Sequence, residues 1–194
     1  MENTSNFSKW LHRLICVGIV SLINSAASYI PFVHTDITTW VSRAIMAATV
    51  LCMLRLSPRN GRYKKAGLFR ALMLTCALIT SFLFGSYLLS IAASLFSFVA
   101  VYQEYTAHAE VVEEADAVLS RKWHKLFYWE LIAAVLLSFG SSLVALLFVS
   151  SALQDASRIS GIVISLLKLP QFVLHVIRLL YLNKTLAYVV SQEA

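Results

Sequence analysis

From residue 66 to residue 103 the chain is apolar for nearly forty residues. A hydrocarbon core about 30 Å thick takes roughly 20 apolar residues per helix. A single helix of this length would run to more than about 50 Å. The rest of the chain is of the same kind. Its 194 residues are 59% hydrophobic and 13% charged, with a mean hydropathy of +0.73. Soluble domains are nearer 45–50% apolar and about 25% charged. In water such a chain would expose apolar patches large enough to drive association. These proportions exclude a soluble globular enzyme, a disordered chain and a disulfide-rich secreted module. They predict an all-α, polytopic integral membrane helical bundle.

Spans are predicted at 11–31, 37–56, 126–149 and 159–182, with turns at Pro31–Asp36, Ser57–Gly61 and Gln154–Ser157. The long stretch divides into 66–84 and 86–103 if it turns at Phe84-Gly85-Ser86, where Gly85 is the only turn signal. The alternative is one long helix and five spans. Basic residues decide between the two, because Lys and Arg concentrate on the cytoplasmic side of short loops. With six transmembrane helices and both N- and C-termini cytoplasmic, all but three of the sixteen Lys and Arg lie inside. Arg158 lies outside, and Arg43 and Lys168 lie within spans. With five spans, nine lie inside against five outside. Six spans fit the bias better. Lys9, His12 and Arg13 before Leu14–Ile23, then Ser25-Ala26-Ala27-Ser28, loosely follow the grammar of a cleaved signal peptide. Apolar character resumes at Tyr29–Val33, so the segment is expected to stay as the first span.

The same basic residues account for the net charge of +6 without nucleic acid, since no nucleic-acid motif accompanies them. Cys16, Cys52 and Cys76 each sit in an apolar run with no metal or redox spacing, and are read as small buried hydrophobes. Helices in lipid pack where small residues let backbones approach. Small residues spaced by four occur at Ala44, Ala48, Cys52, at Ser86, Ser90, Ser94, and at Ala134, Ser138, Ser142. Asn24 is expected to act as interhelical glue, and Arg43 to snorkel outward.

The polar segment 104–125 places Glu104, Glu110, Glu113, Glu114 and Asp116 before Arg121, Lys122, His124 and Lys125. Acids first and bases last suit a helix macrodipole. Val112, Ala115, Leu119, Trp123 and Leu126 recur at helical spacing, so an amphipathic cytoplasmic linker is expected. It would serve as a docking surface for a cytoplasmic partner or simply rest on lipid headgroups.

Polar groups inside spans are costly, which makes them functional candidates. Lys168, Gln171, His175 and Arg178 fall on one face of the last span, which is otherwise Ile, Leu, Val and Phe. This stripe is predicted to face the bundle interior as a ligand-binding site. Glu130, four residues into the fifth span, lies at the depth of Arg178, so a Glu130–Arg178 pair is expected with His175 nearby. Pro170 would free the Leu166 carbonyl for a ligand or water.

No GxSxG, HExxH or P-loop occurs, and Glu113-Glu114 lacks the following Arg of intramembrane proteases, with Val118 in that place. Glu104 and His108, with Glu110 close by, fall short of an ordered metal site. No enzyme activity, cofactor or metal is expected. In size and span count the chain is similar to the substrate-binding membrane subunits of energy-coupling-factor vitamin transporters, a resemblance that covers no signature residues. It implies a small-molecule carrier.

The sequence therefore points to a multi-pass protein of the cell membrane that transports a polar or anionic small molecule, or is the membrane subunit of such a transporter. The alternative is a non-transporting scaffold or regulator. A cysteine placed at Glu113, with the three native cysteines replaced by Ala, is expected to react with an impermeant maleimide only after the cells are permeabilised. Labelling in intact cells would remove the turn at Gly85 and with it the six-span arrangement.

Overall fold

A computed structural model describes residues 4–27, 35–82, 87–149 and 154–193. Six helices follow one another: α1 Thr4–Ala27, α2 Thr35–Leu56, α3 Gly61–Phe82, α4 Tyr87–Val112, α5 Ala117–Val149 and α6 Gln154–Glu193. The chain is an all-helical bundle, and five of the helices are long and apolar enough to cross a membrane. The exception is α3, which opens with Arg62, Lys64 and Lys65 and carries Arg70 one and a half turns later. Of the expected turn at Pro31–Asp36, residues 31–34 lie outside the described residues and Asp36 is in the first turn of α2, while the turn at Phe84-Gly85-Ser86 and the side chain of Arg158 lie outside them altogether.

Local chemistry sets the helix ends. Asn60 caps α3, its side-chain oxygen accepting from the Arg62 amide at 2.9 Å. Asp116 does the same for α5, accepting from the Leu119 amide at 2.8 Å. The Asp116 cap corrects the expected amphipathic linker over 104–125. The segment is not one helix. Its first part is the end of α4, a tight turn follows in which the Asp116 amide donates to the Val112 carbonyl at 2.8 Å, and the remainder opens α5. Side-chain capping competes with helix continuation, and here the cap wins. The expected turn at Gln154–Ser157 is likewise the first turn of α6, which continues through Pro170 for 40 residues, about 60 Å.

The helices pack in chain order around a closed ring, α1 through α6, with α6 returning against α1 and touching α4 across the interior. Contacts fix the alternation of direction. Phe7 of α1 meets Tyr63 near the start of α3, Tyr63 meets His108 near the end of α4, and Trp123 near the start of α5 meets Thr185 near the end of α6. At the opposite end Asn24 donates to Ser42 of α2 at 2.8 Å, the glue role expected of it. Arg43 stacks over Trp40 at 4.6 Å and donates to Ser81 of α3, so it ties two helices together instead of reaching away from them.

Burial is uneven along the ring. The main core, including Leu11, Met53, Tyr63, Trp123 and Leu182, gathers at the end where α1, α3 and α5 begin. Elsewhere large apolar side chains point outward: Ile23, Leu88, Leu95, Leu136 and Phe139 are all more than half exposed. Such a surface suits lipid and not water.

Small residues act in two different ways. Cys52 is buried on α2, and Gly67 of α3 is pressed on the same helix. A Cβ at Gly67 would lie 3.1 Å from Leu54 Cδ2 and 3.3 Å from Met53 Cβ. Ser94, Ala134 and Ser138, by contrast, leave a space between helices instead of closing one. Ser86 lies outside the described residues. Gly67→Leu is expected to lower stability by about 1–3 kcal/mol by overpacking the α2–α3 contact. Gly61→Ala, with nothing within 4 Å of the new methyl, is expected to be neutral. Thermal unfolding of both variants in detergent checks the contrast.

Candidate functional site

The ring is joined across its interior by one carboxylate. Glu104 of α4 is completely buried and forms salt bridges with Arg70 of α3 and Arg178 of α6. Arg70 is nine residues into α3 and Glu104 eight from the end of α4, so the cluster lies about 12–14 Å from that end of the bundle. At that depth water cannot stabilise an isolated charge, so the three groups depend on one another.

An aromatic layer closes the cluster on its loop side. His108, one turn after Glu104, has Nε2 3.9 Å from a Glu104 oxygen, an electrostatic contact too long for a hydrogen bond. Its Nδ1 shares a 2.8 Å hydrogen bond with the Tyr63 hydroxyl, and its ring stacks on Trp123 at 4.7 Å. Trp123 donates to Thr185 at 3.2 Å, and Thr185 donates in turn to the Tyr181 carbonyl at 3.0 Å. Most polar atoms of this layer are thus tied to protein partners, as buried groups need to be, and the exception is His108 Nε2, which has no hydrogen-bond partner among the described residues. Nearer the surface, Arg62 and Asn60 hold Glu110, at 2.6 and 2.8 Å.

On the other side of the cluster a cleft of about 580 Å³ opens between α3, α4, α5 and α6. Its polar wall is Ser94, Ser97, Glu130, Ser138, Gln171 and His175, and its apolar wall includes Met73, Phe98, Val101 and Phe127. Ser94 and Ser138 donate to carbonyls four residues earlier in their own helices, at 3.0 and 2.9 Å. A smaller hollow of about 140 Å³ lies between α1, α2, α3 and α6, lined by Arg70, Arg178 and His175 among others.

The polar stripe expected on the last span divides. Gln171 and His175 line the cleft, Arg178 reaches the buried cluster and the smaller hollow, and Lys168 is exposed and outside the cleft lining. Glu130 lines the cleft with Gln171 and His175, which are therefore brought together. The expected Glu130–Arg178 pair is not formed. Glu130 accepts from the Tyr105 hydroxyl, and Arg178 lies over the Tyr105 ring at 5.8 Å, so the tyrosine stands between the two. Arg178 takes Glu104 instead because α4 runs on to Val112 and carries that carboxylate inside the bundle.

Sequence reasoning missed Glu104 and Arg70 as partners. The available signal was the four-residue recurrence Ala100, Glu104, His108, Val112, a polar pair on a face otherwise made of buried apolar residues. No family model matches the chain, and no curated protein or solved structure matches it. The geometry is the whole of the argument from here.

Removing the carboxylate leaves two buried guanidinium groups facing each other. Glu104→Gln is expected to cost about 3–5 kcal/mol. The Arg62–Glu110 pair is solvated, each side chain 36% exposed, so Glu110→Gln is expected to cost at most about 1 kcal/mol. Comparison of the unfolding midpoints of the two variants with the parent chain tests the assignment of the load to Glu104.

Proposed function

We propose that the chain is a small-molecule carrier, or the membrane subunit of one, whose ligand sits in the cleft between α4, α5 and α6. The observation that carries this reading is the cleft itself. Ligand sites are typically about 300–1,000 Å³, mostly apolar, with a few converging polar groups. The space beside α6 has a volume of about 580 Å³ with Glu130, Gln171 and His175 converging on it. A scaffold that only presented loops to a partner would have no need of such a space and would be packed solid there.

In this reading all six helices cross the bilayer. The charged first turns of α3 sit in the headgroups, and Arg70 is carried inward by Glu104. The start of α1 and the end of α6 share the basic end of the bundle, with Arg59, Lys64, Lys65, Arg121 and Lys122, and this end faces the cytoplasm by the positive-inside rule. The membrane is the plasma or inner membrane, and the protein catalyses no reaction. A cytoplasmic partner would meet exposed residues of this segment such as Glu110, the turn Glu113–Asp116, Arg121, Lys122, His124 and Lys125, and not Glu104–Ala109 or Trp123, which are buried.

Filling the cleft tests the reading. The purified full chain is screened in detergent for stabilisation by a panel of polar metabolites, and the stabilising compound is then followed into proteoliposomes. Ser138→Trp is expected to abolish both stabilisation and uptake while leaving the ligand-free unfolding temperature nearly unchanged. Ser94→Leu enters the same cleft from α4 and serves if the tryptophan disturbs folding. A panel with no stabilising member, or stabilisation and uptake that survive both variants, would refute a ligand site in the cleft.

A further inference from the structure

The smaller hollow has a donor set that the cluster leaves unused. Arg70 Nε, Arg178 Nε and His175 Nε2 are buried and have no hydrogen-bond partner among the described residues. All three side chains line this one space of about 140 Å³. Buried polar atoms nearly always find partners, so three unpaired ones around a single hollow need a reason. A guanidinium group has five N–H donors. Glu104 engages one terminal nitrogen of each arginine and leaves the Nε of both unpaired.

Charge points the same way. Two arginines bind one glutamate in the cluster, and no carboxylate lines the hollow among the described residues. Glu130 lies on the cleft side and is engaged by the Tyr105 hydroxyl. The two guanidinium groups thus face the hollow with only one carboxylate bound to them directly, which favours a small anion there. A singly charged anion suits such a site better than a doubly charged phosphate. The volume is several times the roughly 30 Å³ a water occupies in the liquid, which suits a carboxylate group.

Met73 and His175 line both the hollow and the cleft, so these two side chains form the partition between them. Methionine is unbranched and adaptable, the kind of side chain that can yield to a ligand passing beside it. We propose that the hollow is an anion subsite, and that the ligand is a monocarboxylate whose head docks among Arg70, Arg178 and His175 while its body fills the cleft. This rests on the carrier reading and adds the chemical class of its ligand.

The test uses the full chain in detergent with chloride held constant, so that a site filled by chloride alone would show no response. The probes are benzoate and its uncharged counterpart benzamide. Benzoate is expected to raise the unfolding temperature by about 3–5 °C at ten times its Kd, and benzamide to leave it unchanged. Ser21→Leu projects from α1 into the hollow without touching the charged cluster, and is expected to cancel the benzoate effect. Val17→Phe enters the same hollow one turn earlier and replaces it should the leucine variant fail to fold. Absence of a benzoate effect, equal effects of benzoate and benzamide, or a benzoate effect that survives the hollow-filling variant would each overturn the anion subsite. Equal effects that disappear in Ser138→Trp would overturn it while leaving a ligand site in the cleft intact.

Discussion

The bridging of Arg70 and Arg178 by Glu104 is the interaction on which the rest of the molecule depends. The ring has contacts between neighbours in sequence and few across its middle, and this carboxylate bridges α3 to α6. Without it, two cationic helices would share an interior that cannot hydrate them. With it, a space is left on either side, the cleft toward α4 and α5 and the hollow toward α1 and α2. A buried ion triad is no efficient source of stability, since apolar side chains of similar volume often do as well. Its retention makes sense if the guanidinium groups have a further use, and both line the hollow.

The solvent assumed for the chain explains most of what the sequence conveyed. Composition and the lengths of the apolar runs already imply helices packed in lipid, and the end at Leu56 follows from Ser57-Pro58, whereas α3 starts at Gly61, five residues before the expected span. Gln171 and His175 could be placed on an interior face because a helical period carries them there and lipid would not accept them. In the same way Asn24, in the largely apolar second half of its helix, found a partner on another.

What sequence did not yield was the end of α4. Acids at 104, 110, 113, 114 and 116 look like a solvated segment, and the charge order suits a free helix. The distinction between Glu104, buried, and Glu113, exposed, depends on where the neighbouring helices stop, which a one-dimensional pattern does not contain. The mistaken Glu130–Arg178 pair follows from that single displacement: the two groups lie at similar depth, but Glu104, which looks solvated, is the carboxylate that takes Arg178. The small-residue stripes show a related ambiguity. Absence of bulk permits close approach, as at Gly67, but equally permits a void, as at Ser138, and only the partner helix determines which occurs.

Closure of the ring between its first and last helices has a consequence for biosynthesis. A Cβ on Gly18 of α1 would sit 2.5 Å from Leu179 of α6, so the seam is tight, and it joins the first and last of the six helices. As the ribosome extends the chain, α3 and α4 emerge as a pair in which Arg70 already has Glu104 for a neutralising partner. Arg178 arrives last. Until it does, the nascent protein is an open crescent, and the two interior spaces exist only once α6 has been made.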